Sequence, residues 1–351
     1  MKNNSKPLLK IKQLTTNHGI YQHAKLNLPD PKFGYALEDQ ARALIVAHEF
    51  KDKNLEEIYL NYIIRSKRPD GLLYHYYYED SRSFNDEGFP AVVTSIQEAY
   101  GITLWSLLAT GNFKKNQLKE VVERLKDNVY FWTSPRAMAA ALLGLVHLPN
   151  QDSLEKELTE KLHNLFKSTA QEKWNWFENY LVYANAILPW AMWEVADKRK
   201  CAKSLEIAKK TTIFLINNCQ IDAIPAPIGN NGWFKKGGEK PIYDQQPIDA
   251  AYMVCCLEKA YLATKYQFYS DWAKKWWNWF WGGNTQKKSL IDENLACYDA
   301  LTPGGVNLNQ GAESNICFLL AYLAAKRLKI VKMGASNLAD GLQKMENNGC
   351  I

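Results

Sequence analysis

The sequence predicts an all-α fold, an (α/α)6 toroid in which an inner ring of helices is wrapped by an outer ring. Apolar residues recur at helical spacing through nearly the whole chain, whereas strand signals are weak. The helices also alternate between two types, one apolar nearly all round and one amphipathic. Because a helix without a polar face must be surrounded by protein, this alternation predicts buried helices inside half-exposed ones.

Apolar spacing and breaker residues place about twelve helices along the chain. The apolar, inner helices are predicted near 37–50, 95–110, 134–147, 177–197, 247–265 and 310–328. The amphipathic, outer helices are predicted near 54–67, 115–128, 152–168, 200–218, 268–281 and 335–346. The contrast is clear between AMAAALLGLVH (137–147), which has no charged face, and NQLKEVVERLKDN (116–128), which has one for water.

An α-solenoid of stacked helical pairs would also alternate helix types. No repeat of about 34 to 45 residues is visible, however, and the connections between helices are unequal in length. We therefore predict one catalytic-type domain over 1–351, with 1–33 as an N-terminal extended arm. A chain of 351 residues with 47% hydrophobic content can bury one large core of this kind.

Charge and composition exclude several classes of protein. The net charge of +6 comes from 43 basic and 37 acidic residues that are mixed along the chain, so a nucleic-acid-binding surface is not indicated. No apolar run reaches the roughly 18 residues of a membrane-spanning helix, and the N-terminus lacks the apolar core of a signal peptide. A soluble, cytoplasmic protein is expected.

Cysteine usage and the absence of standard motifs narrow the chemistry further. The seven cysteines form no CxxC spacing and several lie inside apolar runs, which favours buried thiols over disulfides or zinc. HExxH, P-loop, GxSxG and dinucleotide-binding motifs are missing, so metalloprotease, nucleotide-binding and serine-hydrolase functions lack support. Neither a metal nor a cofactor is expected.

The longest connections, near 68–94, 219–246 and 282–309, all run from an outer helix to the next inner one. In a toroid of hairpins these connections lie at one end. Long loops in a compact domain are often functional, so we expect the site at this end, which we call the mouth.

Polar clusters stand at the predicted start of every inner helix. They are GYALEDQAR (34–42), SIQEAYG (95–101), WTSPR (132–136), WNWFENY (174–180), DQQP (244–247) and NLNQGAES (307–314). Any one of these carboxylates could be only a helix cap. As a set, carboxylates for proton transfer, amides for hydroxyl groups and aromatic rings for sugar faces are typical of a carbohydrate site.

The six histidines all lie in the first half of the chain. His23 and His75 could reach the mouth, although structural roles are expected for them and for the other four.

These motifs resemble a bacterial (α/α)6-toroid family related to glycosidases, whose members occur alone or fused to glycosyltransferases. The matching segments span nearly the whole chain and are GIYQHA (19–24), GYALEDQARAL (34–44), WFENYL (176–181), GNNGW (229–233), GGE (237–239), DQQP (244–247), CYD (297–299) and GGVNLNQGAES (304–314). The resemblance implies a glycan substrate and a glycosyltransferase as a possible partner. It also implies adjacent acidic residues at the third helix, where this chain keeps only Glu98.

The predicted function is a glycoside hydrolase that acts on an oligosaccharide with two carboxyl groups. By resemblance the enzyme inverts, which requires about 6.5–9.5 Å between those groups. The catalytic candidates are Glu98, Asp244 and Glu313, followed by Asp39 and Glu178. Asp244 is the preferred base, and Glu98 or Glu313 the acid, its pKa raised by desolvation. The substrate-binding candidates are Tyr35, Arg42, Asn175, Trp176, Asn230, Trp233, Gln245, Gln246, Asn309 and Gln310.

Four other functions remain open. A sugar epimerase or isomerase would use histidines on inner helices for proton transfer, and the histidine-free second half argues against it. A non-catalytic glycan-binding module would keep the aromatic and amide groups without paired acids. A phosphorylase would need a phosphate pocket, for which Arg42, Lys235 and Lys236 are the candidates. A protein-binding helical scaffold would show apolar patches away from the mouth.

Overall fold

The computed structural model describes residues 6–85, 93–150 and 153–331. Its helices are α1 Leu9–Leu14, α2 Leu37–Phe50, α3 Lys53–Arg65, α4 Val93–Ala109, α5 Asn116–Asn128, α6 Pro135–Leu145, α7 Ser153–Thr169, α8 Ile187–Arg199, α9 Ala202–Asn218, α10 Pro247–Thr264, α11 Gln267–Trp279 and α12 Ala312–Arg327. Every predicted helix within the described ranges is present, and the one predicted near 335–346 lies outside them. The chain is thus predominantly helical, as its periodicity predicts.

The even-numbered helices α2 to α12 form a closed inner ring. Each packs against the next, and α12 packs against α2 to close the circle. Outside them, α3, α5, α7, α9 and α11 each pack against the inner helix that precedes them in the chain. Nearly every residue of α6 and α12 is buried, which explains why these helices carry no polar stripe.

Connection lengths define the two ends of the ring. Inner-to-outer connections are short, as at 51–52, 200–201 and 265–266, whereas outer-to-inner ones include 170–186, 219–246 and 280–311. The N-termini of the inner helices therefore share the end with the long connections, which is the predicted mouth.

Short antiparallel strand pairs occur in these connections and in the N-terminal segment. The pairs are Thr15–Thr16 with Gly19–Ile20, Ala24–Lys25 with Leu28–Pro29, Tyr180–Leu181 with Phe234–Lys235, Gln220–Ile221 with Ile224–Pro225, and Ala300–Thr302 with Gly305–Asn307. A three-stranded sheet joins Tyr35–Ala36, Tyr76–Tyr78 and Ser83–Asn85. Strands of two or three residues are too short to show in the sequence pattern.

The segment expected to be an extended arm is folded against the ring. It contains α1, which packs on α12, and two of the hairpins. Ile11 and Leu14 of α1 are fully buried, so this short helix covers part of α12 that no outer helix of the described residues covers.

The boundary of one predicted inner helix is wrong. The helix expected over 177–197 begins at Ile187, and Tyr180–Leu181 forms a strand instead. Asn185 causes the difference, because its side-chain oxygen accepts from the Val182 N–H at 3.1 Å and its amide donates to Val182 O at 2.8 Å. Local bonds of this kind compete with helical ones, so the chain turns just before α8.

The remaining sequence predictions concern thiols and membranes. The six cysteines in the described residues are unpaired, and all but Cys201 are buried. Within the same residues no helix is both long and apolar enough to cross a membrane.

Two glycines let α4 and α6 approach closely. A Cβ atom at Gly144 would lie 2.7 Å from the Cα of Trp105, and one at Gly101 would lie 2.4 Å from Ala137 O. We expect Gly144→Ala to lower the free energy of unfolding by about 1–3 kcal/mol, because overpacking outweighs the better helix propensity of alanine. Denaturant unfolding measures this change in the free energy of unfolding. Gly304→Ala is the control, since its nearest neighbour would be 4.0 Å away; equal stability of the two variants would contradict the close approach.

Candidate active site

A cavity of about 200 Å³ opens at the mouth between α2, α10 and α12. Its lining comes from the N-terminal ends of these three helices and from the loops before them. The lining residues are Gln22, His23, Glu38, Asp39, Gln246, Pro247, Asp299, Gly311, Glu313 and Ser314. Four of them carry carboxyl groups, so the cavity wall is strongly acidic.

Arg42 joins two of these carboxylates. Its Nη1 donates to Asp39 Oδ1 at 3.1 Å and its Nη2 to Glu313 Oε2 at 3.0 Å. Arg42 and Asp39 are buried, whereas the Glu313 side chain is 42% exposed. Because one planar guanidinium lies between them, the two bonded oxygens are no more than about 8 Å apart.

Asp39 and its neighbour Glu38 are pushed toward opposite protonation states. Burial raises the pKa of Asp39 well above its ordinary value, and the charges of Glu38, Glu313 and Asp299 add to this against the opposing charge of Arg42. For Glu38, burial is outweighed by His75, so its pKa is lowered. Neighbouring carboxyl groups whose pKa values move apart are the arrangement that acid and base roles require.

His75 holds Glu38 in place. Its Nε2 lies 2.6 Å from Glu38 Oε2, and the His75 side chain is only 5% exposed. The histidine comes from the connection between α3 and α4, just before the strand Tyr76–Tyr78 that pairs with Tyr35–Ala36. That pairing places His75 beside the first turn of α2.

Asp299 completes the cavity from the loop before α12. Its Oδ1 accepts from the Gly311 N–H and from Ser314 Oγ, both at 2.8 Å. Burial nevertheless raises the pKa of Asp299. The carboxylate therefore ties the start of α12 to the loop before it and also forms part of the cavity wall.

A second polar group lies at the starts of α4, α6 and α8 and centres on Arg136. The buried guanidinium donates to Glu178 Oε2 at 2.9 Å, to Tyr183 O at 2.8 Å and to Asn185 Oδ1 at 3.0 Å. Each of its three nitrogens donates to a protein partner, so Arg136 fixes the irregular connection that precedes α8.

Glu98 belongs to this second group. It accepts from Ser134 Oγ at 2.8 Å and from the Tyr183 hydroxyl at 2.7 Å. Burial raises the pKa of Glu98, although Arg136 and both hydroxyl donors act in the opposite direction. Glu98 thus has the environment of a proton donor, as the sequence predicts for it, but it is not part of the cavity lining.

Asp249, in the first turn of α10, is buried between the two groups. Burial raises the pKa of Asp249 to about 8, and the charge of Glu313 adds to the increase. The N–H of Asn185 and the charge of Arg136 act in the opposite direction. Burial and Glu98 raise the pKa of Tyr183, and the charge of Glu313 adds to the increase. The two polar groups stand at the starts of helices of one closed ring, so both belong to one crater at the mouth.

The raised pKa of Asp249 predicts a pH-dependent stability. The folded chain keeps this proton to about pH 8, whereas the unfolded chain releases it near pH 4, so stability is lost as pH rises between these values. In thermal unfolding between pH 5 and 8, we expect the Tm of Asp249→Asn to fall by about 5 °C less than that of the wild type. The exposed Asp271→Asn is the control, and parallel curves for all three proteins would contradict the assignment.

Exposed aromatic rings stand at the edge of the second group. The ring of Trp233, 54% exposed, lies 5.2 Å from that of Tyr180. We call this pair the aromatic platform. The strand pair Tyr180–Leu181 with Phe234–Lys235 fixes it, and Tyr180 is in contact with Glu178.

The structure divides the predicted site residues into two sets. Asp39, Arg42, Gln246 and Glu313 meet at the cavity, whereas Glu98, Glu178 and Trp233 lie with the second group. Asn230 is exposed near the platform, and its N–H donates to Asp244 O at 2.8 Å. Asp244 itself is not among the residues that line the cavity.

The other predicted binding residues are engaged within the protein. Tyr35 is buried in a tyrosine cluster and bonds Thr16 and Glu79, and Trp176 is fully buried against Phe177. Asn175 donates to Glu172 O at 3.4 Å. The remaining amides bond as follows: Gln245 with Trp279, Thr285 and Ile242, Asn309 with Leu26, and Gln310 with Asp292.

Five residues of the crater were not named as site residues from the sequence, namely Glu38, Arg136, Tyr183, Asp249 and Asp299. His75 was expected to be able to reach the mouth, with a structural role, and it lies against Glu38. Glu38 and Asp249 had a usable signal, since each is a carboxylate in the first turn of an apolar helix. Asp299 stands in the CYD segment (297–299) of the family resemblance, but its place at the cavity depends on a strand pair of three residues.

The described residues contain no group of three or more His, Cys, Asp or Glu side chains arranged to hold a metal ion. The crater carboxylates instead find hydrogen-bond donors and arginines within the protein.

Comparison with known proteins identifies the fold. No family model matches the sequence, and no curated protein is significantly similar to it. Cellobiose 2-epimerase from Spirochaeta thermophila superimposes with a TM-score of 0.65 at 12% identity, covering 92% of this chain and 93% of the epimerase. An α-1,6-mannanase of the GH76 type from Salegentibacter superimposes with a TM-score of 0.59 at 11% identity, covering 92% and 97%.

A second structure of the Salegentibacter mannanase is an inactive variant in complex with an α-1,6-linked mannotetraose. It superimposes with a TM-score of 0.59 at 13% identity, covering 92% of this chain and 97% of the mannanase. Two adjacent aspartates are replaced by alanine in that variant. The structural similarities extend over nearly the full length of each partner. The chain therefore has the (α/α)6 toroid fold, which confirms the predicted fold class.

Proposed function

We propose that this protein is a glycoside hydrolase that cleaves an oligosaccharide with two carboxyl groups of the cavity. The observation that carries the proposal is the pair of carboxyl groups bridged by Arg42, one buried and one open to solvent. Glycoside hydrolysis needs one protonated and one ionised carboxyl group on either side of the bond that breaks.

Asp39 is assigned as the proton donor. Burial raises its pKa, which favours the protonated form, and it lines the cavity that a sugar would enter. In the reaction its proton passes to the glycosidic oxygen while the bond from that oxygen to the anomeric carbon breaks. Arg42 then stabilises the carboxylate that remains.

Glu313 is assigned as the base. It is the more exposed of the two carboxylates, so a water molecule can reach it, and Arg42 holds its position. The carboxylate takes a proton from that water as its oxygen bonds to the anomeric carbon. The bonded oxygens are no more than about 8 Å apart, an upper limit that admits separations within the roughly 6.5–9.5 Å that inverting enzymes use for such a water.

This assignment replaces two sequence-based preferences. Asp244 was the preferred base but stands outside the cavity lining, and Glu98 was a preferred acid but belongs to the group around Arg136. We assign Glu98, Glu178 and the aromatic platform to binding of sugar units beyond the cavity. Adjacent acidic side chains matter in the Salegentibacter mannanase, and Glu38 with Asp39 is the adjacent pair that enters the cavity here.

A sugar epimerase is the second candidate, since an epimerase shares the fold and two histidines lie at the cavity. An epimerase moves a proton on carbon and needs an accessible neutral base. Neither histidine stands on an inner helix, where the sequence-based argument expects the base of an epimerase: His75 is buried behind Glu38, and His23 belongs to the N-terminal segment. This favours hydrolysis.

One experiment separates these functions. The wild-type protein is incubated with α-1,6-linked manno-oligosaccharides, cellobiose and matching galacto-oligosaccharides, with and without phosphate, and both reducing ends and sugar isomers are measured. Hydrolysis raises the number of reducing ends without phosphate. An isomer formed at constant reducing ends indicates an epimerase, dependence on phosphate indicates a phosphorylase, and binding without any product indicates a binding module.

Two finer proposals rest on the sequence alone. A glycosyltransferase is the protein partner that the family resemblance implies, and co-purification of the two proteins from their natural host tests it. The cytoplasm is the expected compartment, which fractionation of the same cells tests.

A further inference from the structure

One side of the cavity is closed by the N-terminal segment. Its backbone is bonded to the loop before α12, because Ala312 N donates to Gln22 O and Gln310 N donates to Leu26 O, both at 3.0 Å. Leu26 N in turn donates to Asn309 Oδ1 at 2.8 Å. These bonds join distant parts of the chain and make a fixed wall, so a polysaccharide cannot continue past the cavity in this direction.

The opposite side of the crater is open and lined by side chains that bind sugars well. The Tyr183 hydroxyl bonds Glu98, and Arg136 joins Tyr183 O to Glu178, which lies two residues before Tyr180 of the aromatic platform. Tyr183 is 36% exposed and Trp233 is 54% exposed. A polar floor with an exposed ring at its far edge is suited to a second and third sugar unit.

We propose that the crater takes a glycan by one end: the terminal sugar fills the cavity against the N-terminal wall, and the following units leave over the aromatic platform. The cavity of about 200 Å³ is smaller than the roughly 300–1,000 Å³ of pockets for larger ligands, so it fits one sugar ring. This inference rests on the proposed function, and it adds that the enzyme releases single sugars from a chain end.

The first measurement is of early products. Wild-type protein acts on a linear tetrasaccharide of whichever sugar is hydrolysed, and products are separated while less than a tenth is consumed. Release of monosaccharide together with trisaccharide is the expected result. Disaccharide as the main early product would overturn the inference while leaving the hydrolase proposal in place.

The second measurement is of binding and does not need turnover. Calorimetry measures the affinity for a monosaccharide and for the corresponding tetrasaccharide of mannose, glucose or galactose. The two proteins compared are Glu313→Gln and the double variant that also carries Trp233→Ala. Loss of the platform ring is expected to weaken tetrasaccharide binding about tenfold and leave monosaccharide binding unchanged. Trp233→Tyr in place of Trp233→Ala should restore most of the affinity.

The control is Tyr266→Ala, also in the Glu313→Gln background. Tyr266 is 62% exposed and stacked on Phe268 at 5.6 Å, but it lies between α10 and α11 at the far end of the ring. An equal loss for both sugar lengths in the Trp233 variant, or no loss, would overturn the inference. If no glycan is hydrolysed, the proposed function fails, and the binding data alone decide whether the crater takes a glycan by one end. If no glycan binds, the proposed function and this inference both fail.

Discussion

Glu313→Gln is expected to lower kcat for glycan hydrolysis by about 100- to 10,000-fold, the usual contribution of a general acid or base. Glutamine keeps the size of the side chain and can still accept a hydrogen bond from Arg42, but it cannot take a proton from water. Substrate binding should change much less than kcat, because the cavity keeps its shape. Initial rates at saturating substrate, with circular dichroism to confirm folding, measure the effect.

The matched control for this variant is Glu258→Gln. Glu258 is a fully buried inner-ring glutamate that pairs with Arg327 at 2.5 Å, and it belongs to the last turns of α10, away from the mouth. It should lose stability and keep kcat. Equal losses of kcat in the two variants would mean that the effect is structural, and a loss in Glu38→Gln but not in Glu313→Gln would move the base role to Glu38.

The same variant changes the pH profile of the residual activity. The charge of Glu313 contributes to the raised pKa of Asp39, so its removal lowers that pKa. A general acid loses activity as pH rises through its pKa, and the alkaline limb of the residual rate should therefore move to lower pH. An unchanged alkaline limb would show that Asp39 is not the proton donor.

Arg136→Leu is expected to lower the free energy of unfolding by about 3–5 kcal/mol, because it leaves Glu178 as an uncompensated buried charge. The substitution also removes donors to Tyr183 O and to Asn185 Oδ1, which hold the connection before α8. Denaturant unfolding at neutral pH measures the change.

Two further variants show whether the buried charge is the cause. The double variant Arg136→Leu with Glu178→Leu should recover part of the stability, since no charge is then left unpaired. Lys210→Leu breaks the exposed pair with Glu206 and should have little effect. A double variant that is less stable than Arg136→Leu alone would contradict this explanation.

The fold could be predicted because it follows from a property that each helix has by itself. Whether a helix is apolar all round or on one side is visible in its own residues, and the alternation of the two types leaves few arrangements. Closure of the ring is not visible in any single helix, because it depends on contacts between α2 and α12 at opposite ends of the chain. The late start of α8 was missed because a single asparagine side chain decides it.

The site was predictable to the extent that it stands on helix starts. Asp39 and Glu313 lie in the first turns of α2 and α12, Arg42 lies one turn further along α2, and ion pairs join the three side chains. The role of an amide could not be read from its position. Gln245 and Gln246 are neighbours at the start of α10, yet Gln246 lines the cavity while the Gln245 amide bonds Trp279 of an outer helix.

The bond between Leu26 and Asn309, which lie 283 positions apart, has a consequence for synthesis of the protein. The cavity has walls from both ends of the chain, so no fragment that lacks α12 contains it. A nascent chain on the ribosome can form the early hairpins of the ring. The last inner helix must be synthesised before the N-terminal wall can form and before Glu313 can pair with Arg42. Contacts of such long sequence separation slow folding, and the cavity is then the last part of the molecule to form.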